Sequence, residues 1–264
     1  MSREKPTIQQ PESINPFVAM WHGVVLTVSK AISVAVLLVI TSVCVVTGNN
    51  FIAAQQAKFK EPAQVEQAIQ SLFSTPTTTI ALYAGIVLVI SLSLFIMMVM
   101  VHGIQSYTAV MLSKGKPVRV REAFDATLAQ FGSYTILILW MYIKIALWSM
   151  LFIVPGVVAY YRYSFAGLLF FENKKYRGNT ALEQSTRLTK KGLLTLFASQ
   201  YVPYLLTLGY GGNLSATGSL TTLYATYTDI AKKKLHMPRA HLLSYVSLAV
   251  PFILLTIALS VVSP

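Results

Sequence analysis

Two cations stand in stretches that are otherwise aliphatic and aromatic. Lys144 lies in the run 134–154 and Arg162 in the run 157–171. A charge inside a hydrocarbon layer costs about 2.5–3.5 kcal/mol on insertion scales, which makes such a residue a functional candidate by default. If Pro155-Gly156 forms a tight turn between antiparallel helices, the two cations lie roughly 16 and 10 Å from that turn at 1.5 Å per residue. At similar depth, with no acid beside them, they repel each other unless an anion sits between. One reading is that Lys144 and Arg162 hold an anionic group such as a lipid phosphate, with hydroxyls from Tyr142, Tyr160, Tyr161 and Tyr163 nearby. The other is that both side chains snorkel to an interface and the tyrosines are ordinary belt residues.

Little else in the chain resembles reactive machinery. His22, His102, His236 and His241 have no metal-ligand spacing with a carboxylate or cysteine. There is no phosphate-cradling glycine loop and no nucleophile elbow. The nine acids fall in tails, loops or helix ends, whereas a coupled pump needs a carboxylate near mid-membrane. The reading is therefore of a protein with no catalytic residues, no metal and no cofactor. The single Cys44 cannot form an internal disulfide, so the fold does not depend on oxidation.

The elements that position these residues follow from composition. The chain has 264 residues, 55% hydrophobic and 11% charged, where soluble domains run near 25% charged. This predicts an all-α, polytopic bundle of membrane-crossing helices. Residues 1–15 are polar, carry Pro6 and Pro11, and read as a disordered cytoplasmic tail; residues 16–264 read as one transmembrane domain with a retained, uncleaved first helix. Asn15 caps an amphipathic helix from Pro16. The crossings are placed at 31–47, 77–111, 134–154, 157–171, 193–209, 214–231 and 241–262. Gly48-Asn49-Asn50 ends the first, and 63–73 is a candidate surface helix. Leu193 to Thr228 carries no charge, and as one helix it would span about 54 Å, so the Gly209–Asn213 turn signal divides it. The hydroxyl-rich half, 214–231, is expected inside the bundle.

Alternating seven crossings from an inside N-terminus places 17 Lys and Arg on inner segments and 2 outside. That ratio fits the positive-inside rule and a bacterial-type cytoplasmic membrane; six crossings, the alternative, would place Lys232 to Arg239 outside. A net charge of +12 on such flanks speaks for anionic membrane surfaces, not nucleic acid.

Two cytoplasmic segments share a pattern. Ala123-Phe124-Asp125-Ala126-Thr127 aligns with Ala181-Leu182-Glu183-Gln184-Ser185, each followed by a glycine, Gly132 or Gly192, and then by an apolar hairpin. In the first, Val120, Phe124, Leu128 and Phe131 form an apolar face, the mark of a helix lying in the interface plane. In the second, Thr180 and Glu183 have capping-box spacing and Gly192 is suited to a left-handed stop. With the helix from Pro16, the chain reads as three repeats of an amphipathic elbow and a hairpin, plus one C-terminal helix. Lys174, Lys175, Arg177, Arg187, Lys190 and Lys191 form the basic surface of the second elbow.

The stretch Ile153-Val154-Pro155-Gly156, then Tyr163 and Glu172, then Ala181-Leu182, Ser185, Leu188 and Lys191-Gly192 resembles the YciC-like proteins and the membrane domain fused to some glycerophosphodiester phosphodiesterases. The resemblance covers roughly residues 110–230. It implies a six-helix bundle with cytoplasmic elbows and no established activity. The phosphodiesterase catalytic domain has no counterpart here.

Three functions compete on these grounds. The leading one is a non-enzymatic organiser of anionic membrane lipids, or of a membrane or cytoplasmic protein partner, through the basic elbows. The second is a transporter or lipid translocase whose path is formed by helix 214–231, Lys144 and Arg162. The third is a membrane-embedded enzyme.

Overall fold

The computed structural model describes residues 13–57, 77–207, 212–233 and 239–247, with isolated positions at 66, 70 and 249. Ten helices occupy these residues: α1 (Pro16–Lys30), α2 (Ile32–Ala57), α3 (Thr77–Ser113), α4 (Val120–Leu128), α5 (Phe131–Leu151), α6 (Ile153–Tyr163), α7 (Ala166–Glu172), α8 (Asn179–Thr189), α9 (Leu193–Leu206) and α10 (Gly212–Lys232). Residues 242–247 are also helical. Strand β1 (Ser13–Ile14) pairs in parallel with β2 (Arg239–Ala240). Ser13 and Ile14 belong to the expected disordered tail 1–15, the first twelve residues of which lie outside the described residues. The candidate surface helix 63–73 and most of the crossing 241–262 lie outside the described residues.

Four segments are long and apolar enough to cross a membrane: Ile32–Ala54, Ala81–Ser113, Phe131–Leu151 and Ile153–Glu172. They wear apolar side chains outward, as a lipid-facing surface requires. Leu82, Val87, Leu88, Ile136, Leu151 and Ile153 are all exposed. α3 runs for 37 residues, so its rise of about 55 Å exceeds any hydrocarbon layer. Its first half is exposed and its second half is packed. Val99, Ile104, Ala109, Val110 and Leu112 are buried there.

Several element ends differ from the sequence reading. α1 is capped as expected, with Asn15 Oδ1 accepting from the Phe17 and Val18 N–H groups at 3.0 and 3.3 Å. α2, however, continues through Gly48-Asn49-Asn50 to Ala57. The turn between α5 and α6 lies at Phe152, in extended conformation, and not at Pro155-Gly156. Proline is tolerated in a first helical turn, where its missing N–H has no intrahelical partner. Gly156 is instead required by packing: a Cβ there would lie 2.0 Å from Ser149 Oγ. The expected fourth crossing is broken into α6 and α7 at Ser164-Phe165.

α10 lies inside the bundle, with Ser215, Thr217, Ser219, Thr221, Leu223, Tyr224 and Tyr227 buried. Its closest neighbour is α1. A Cβ on Gly23 would stand 2.0 Å from the Gly218 carbonyl oxygen, so the two backbones touch, the small-residue packing common between membrane helices. Thr222 Oγ1 donates to Ala19 O at 2.7 Å beside that crossing. The α1–α2 bend at Ala31 is clamped to the loop after α3. The Val118 N–H donates to Lys30 O, the Lys30 ammonium to Gly115 O, and the Val120 N–H to Ser33 Oγ. This loop and the segments flanking α8 form the basic end of the molecule.

Candidate functional site

The site is built around α8, which the sequence places flat on a surface. It packs instead against α5, α6 and α7, burying Ala181, Leu182, Ser185, Leu188 and Thr189. Its position answers a local need. The break at Ser164-Phe165 leaves backbone groups without intrahelical partners. Ser185 Oγ accepts from the Phe165 N–H at 3.1 Å and donates to the Arg162 carbonyl at 2.7 Å. Thr189 Oγ1 donates to the same carbonyl at 3.2 Å. A serine that looked like a motif position is thus the splint of a broken helix.

α8 also begins differently from the capping-box expectation. It starts at Asn179, one residue before Thr180, so Thr180 faces the preceding loop. Thr180 Oγ1 accepts from the Arg177 N–H at 3.0 Å and donates to Arg177 O at 2.8 Å. Glu183 accepts from the Asn179 side-chain amide at 2.7 Å instead of a cap N–H. Gly192 has φ −110°, which is not left-handed. Glycine is needed there because the Tyr227 ring lies where a Cβ would be, and the Tyr227 hydroxyl donates to Gly192 O at 3.1 Å. Glu172 accepts a hydrogen bond from Tyr224 at the end of α7.

Because α8 packs inward, Lys144 is not isolated from acids. Its ammonium donates to Asn179 Oδ1 at 2.5 Å, and Asn179 passes the contact to Glu183. The ammonium also stands 5.5 Å from the Trp140 ring centroid, within cation–π range. Lys144, Tyr163, Leu182, Glu183, Thr186 and Arg187 line a hollow of about 300 Å³. The expectation that no acid stands beside Lys144 is corrected by the placement of α8. The second cation beside this hollow is Arg187. Arg162, in the last turn of α6, is exposed. Tyr160 and Tyr161 line a separate cavity with residues of α2, α9 and α10, and Tyr142 is exposed on α5.

Lys174, Lys175, Arg187, Lys190 and Lys191 are exposed around α8. Arg177 differs: its guanidinium donates to Gln130 Oε1 at 2.6 Å and lies 4.0 Å over the Phe170 ring. It is half-buried and ties α8 to the start of α5. On α4 the buried face is Ala123 and Thr127, one position off the expected stripe, because Thr127 packs against Gly103. Phe124 and Leu128 are exposed there, as are Val18, Trp21, Val25 and Val28 on α1.

One polar cluster was not legible as a unit. His102 Nδ1 and the Tyr134 hydroxyl are 2.5 Å apart, and Ser106 Oγ is 3.1 Å from the same hydroxyl. The i, i+4 spacing of His102 and Ser106 was the available signal, but the partner lies on another helix. The cluster ties α3 to α5 within the packed half of α3. Among the described residues no group of three or more His, Cys, Asp or Glu could hold a metal ion.

The hydroxyls of α10 are engaged. Thr217, Thr221, Thr226 and Thr228 donate to carbonyls four residues back, and Ser219 to Ser199 O across to α9. No family model, curated protein or solved structure matches the chain significantly.

Proposed function

We propose that this is a multi-pass protein of a bacterial-type cytoplasmic membrane, with its N-terminus inside, that organises anionic lipids through its basic elbows and catalyses no reaction. The carrying observation is the division of labour on α8. Its apolar and hydroxyl face is consumed by packing and by the α6–α7 break, while five basic side chains around it stay exposed. Each basic residue near an anionic leaflet contributes about 1 kcal/mol, so five give up to about 5 kcal/mol of headgroup attraction. Exposed apolar residues on α1 and α4 suit the same interface, their rings and aliphatic groups seated among acyl chains. Arg177 is excluded from this surface by its partners, and Lys144 by the Asn179 and Glu183 side chains beside it. A seven-crossing arrangement, with the elbow-and-hairpin repeat that the YciC-like resemblance implies, is part of this proposal. A transport path through 214–231 is disfavoured by the engagement of that helix's hydroxyls within the protein.

The test is to extract and identify the lipids that co-purify with the full chain in mild detergent. Phosphatidylglycerol or cardiolipin should be retained above their share of the membrane. Retention of zwitterionic or neutral lipids alone would overturn the reading.

A further inference from the structure

A second hollow, of about 330 Å³, lies where α2, α6, α9 and α10 meet. Its wall is chemically distinct from the basic end. Tyr160, Tyr161, Tyr201 and Tyr204 line it, with Gln200 and Asn213, and none of its lining residues carries a charge at neutral pH. Ser42, which also lines it, is about 15 Å along α2 from Ile32, so the hollow sits part-way along a membrane-crossing segment.

Two observations point to a ligand. Gln200 Nε2 is buried with no hydrogen-bond partner among the described residues, and a buried donor left unmade costs about 1–3 kcal/mol. The four cavity hydroxyls also meet no partner among the described residues, nor do those of Tyr142 and Tyr163 outside the cavity, whereas Tyr107, Tyr134, Tyr224 and Tyr227 find partners. One wall is also open to the lipid-facing side, with Tyr160 46%, Tyr204 49% and Val45 53% exposed. Close packing builds the Tyr204 wall: a Cβ on Gly212 would lie 2.7 Å from its ring, so glycine lets the ring rest against α10.

We propose that this cavity binds the head of a neutral molecule dissolved in the lipid phase, a flat ring bearing carbonyl oxygens, of the quinone type. An uncharged wall selects against ions, because a buried charge without a partner is costly. Phenol and amide donors match carbonyl acceptors, and tyrosine faces match a planar ring. The volume is at the low end of ligand sites, enough for a ring and not for a whole lipid, so the tail stays in the bilayer through the open side. The inference concerns binding alone and is independent of the basic surface.

The experiment measures equilibrium binding of decylubiquinone to the full chain in nanodiscs, with decylbenzene and dioleoylglycerol as comparison ligands. Saturable decylubiquinone binding is expected, with no saturable decylbenzene binding and no competition by dioleoylglycerol. Tyr201→Phe and Gln200→Leu should each weaken affinity about fivefold to tenfold, the worth of one hydrogen bond. Tyr201→Phe removes one oxygen and keeps the ring, so it tests the claim even where Gln200→Leu folds poorly. Anionic-lipid retention should be unchanged in both. Non-saturable uptake, equal binding of decylbenzene, full competition by dioleoylglycerol, or unchanged affinity in Tyr201→Phe would overturn the proposal.

Discussion

Removing the Ser185 hydroxyl should destabilise the protein out of proportion to its size. Ser185 is fully buried and serves both sides of the Ser164-Phe165 break. In Ser185→Ala the Phe165 N–H loses its acceptor, while the Arg162 carbonyl keeps the Thr189 hydroxyl at 3.2 Å. One buried donor left unmade costs about 1–3 kcal/mol, so about 2 kcal/mol is expected. Thr189→Ala leaves Ser185 in place on both groups and should cost less, about 0.5–1 kcal/mol, the worth of one ordinary hydrogen bond. In the double variant the Arg162 carbonyl is also orphaned, so the loss should exceed the sum of the singles by about 0.5 kcal/mol or more. Equilibrium unfolding in mixed micelles with increasing SDS measures all three. A Ser185→Ala loss no larger than that of Thr189→Ala, or strict additivity, would refute the splint.

Other consequences are independent of that break. Gly23→Ala places a methyl 2.0 Å from the Gly218 carbonyl and should cost about 1–3 kcal/mol, whereas Gly85→Ala meets nothing within 4 Å and should be neutral or slightly stabilising in the same unfolding assay. Arg177→Ala loses the Gln130 contact and the Phe170 ring and should cost about 1–3 kcal/mol, against about 0.5 kcal/mol or less for exposed Lys175→Ala, read from denaturation midpoints. Asn15→Ala removes the cap of α1 and should cost about 1 kcal/mol, visible as earlier amide exchange at Phe17 and Val18.

Helix α1 was legible because its signals are local: Asn15 as cap, Pro16 at the first turn, Lys30 before an apolar run. The four apolar segments were legible for the same reason, since length and hydropathy are read along one chain. The α5–α6 turn was misplaced because Pro155-Gly156 looks like a breaker, yet a proline in a first turn costs no helical hydrogen bond. The break at Ser164-Phe165 had no glycine or proline to announce it, and only the Ser185 and Thr189 hydroxyls of α8, some twenty residues on, make it tenable. The placement of α8 is the larger lesson. An amphipathic pattern says that one face is apolar, not whether lipid or protein covers it, so Glu183 beside Lys144 could not be foreseen. The same limit applies to α4, where the small face of Ala123 and Thr127 won the packed side because Gly103 leaves room only for a slender neighbour.

Native mass spectrometry of the full chain, released from nanodiscs of mixed phosphatidylcholine and phosphatidylglycerol, reads out whether the basic end holds anionic headgroups. Wild-type protein should carry phosphatidylglycerol well above its share of the bilayer. The Lys174→Gln/Lys175→Gln/Lys190→Gln/Lys191→Gln variant, changed only at exposed positions, should fall back toward that share while its unfolding free energy stays within about 0.5 kcal/mol of wild type. Equal enrichment in both proteins would contradict the account.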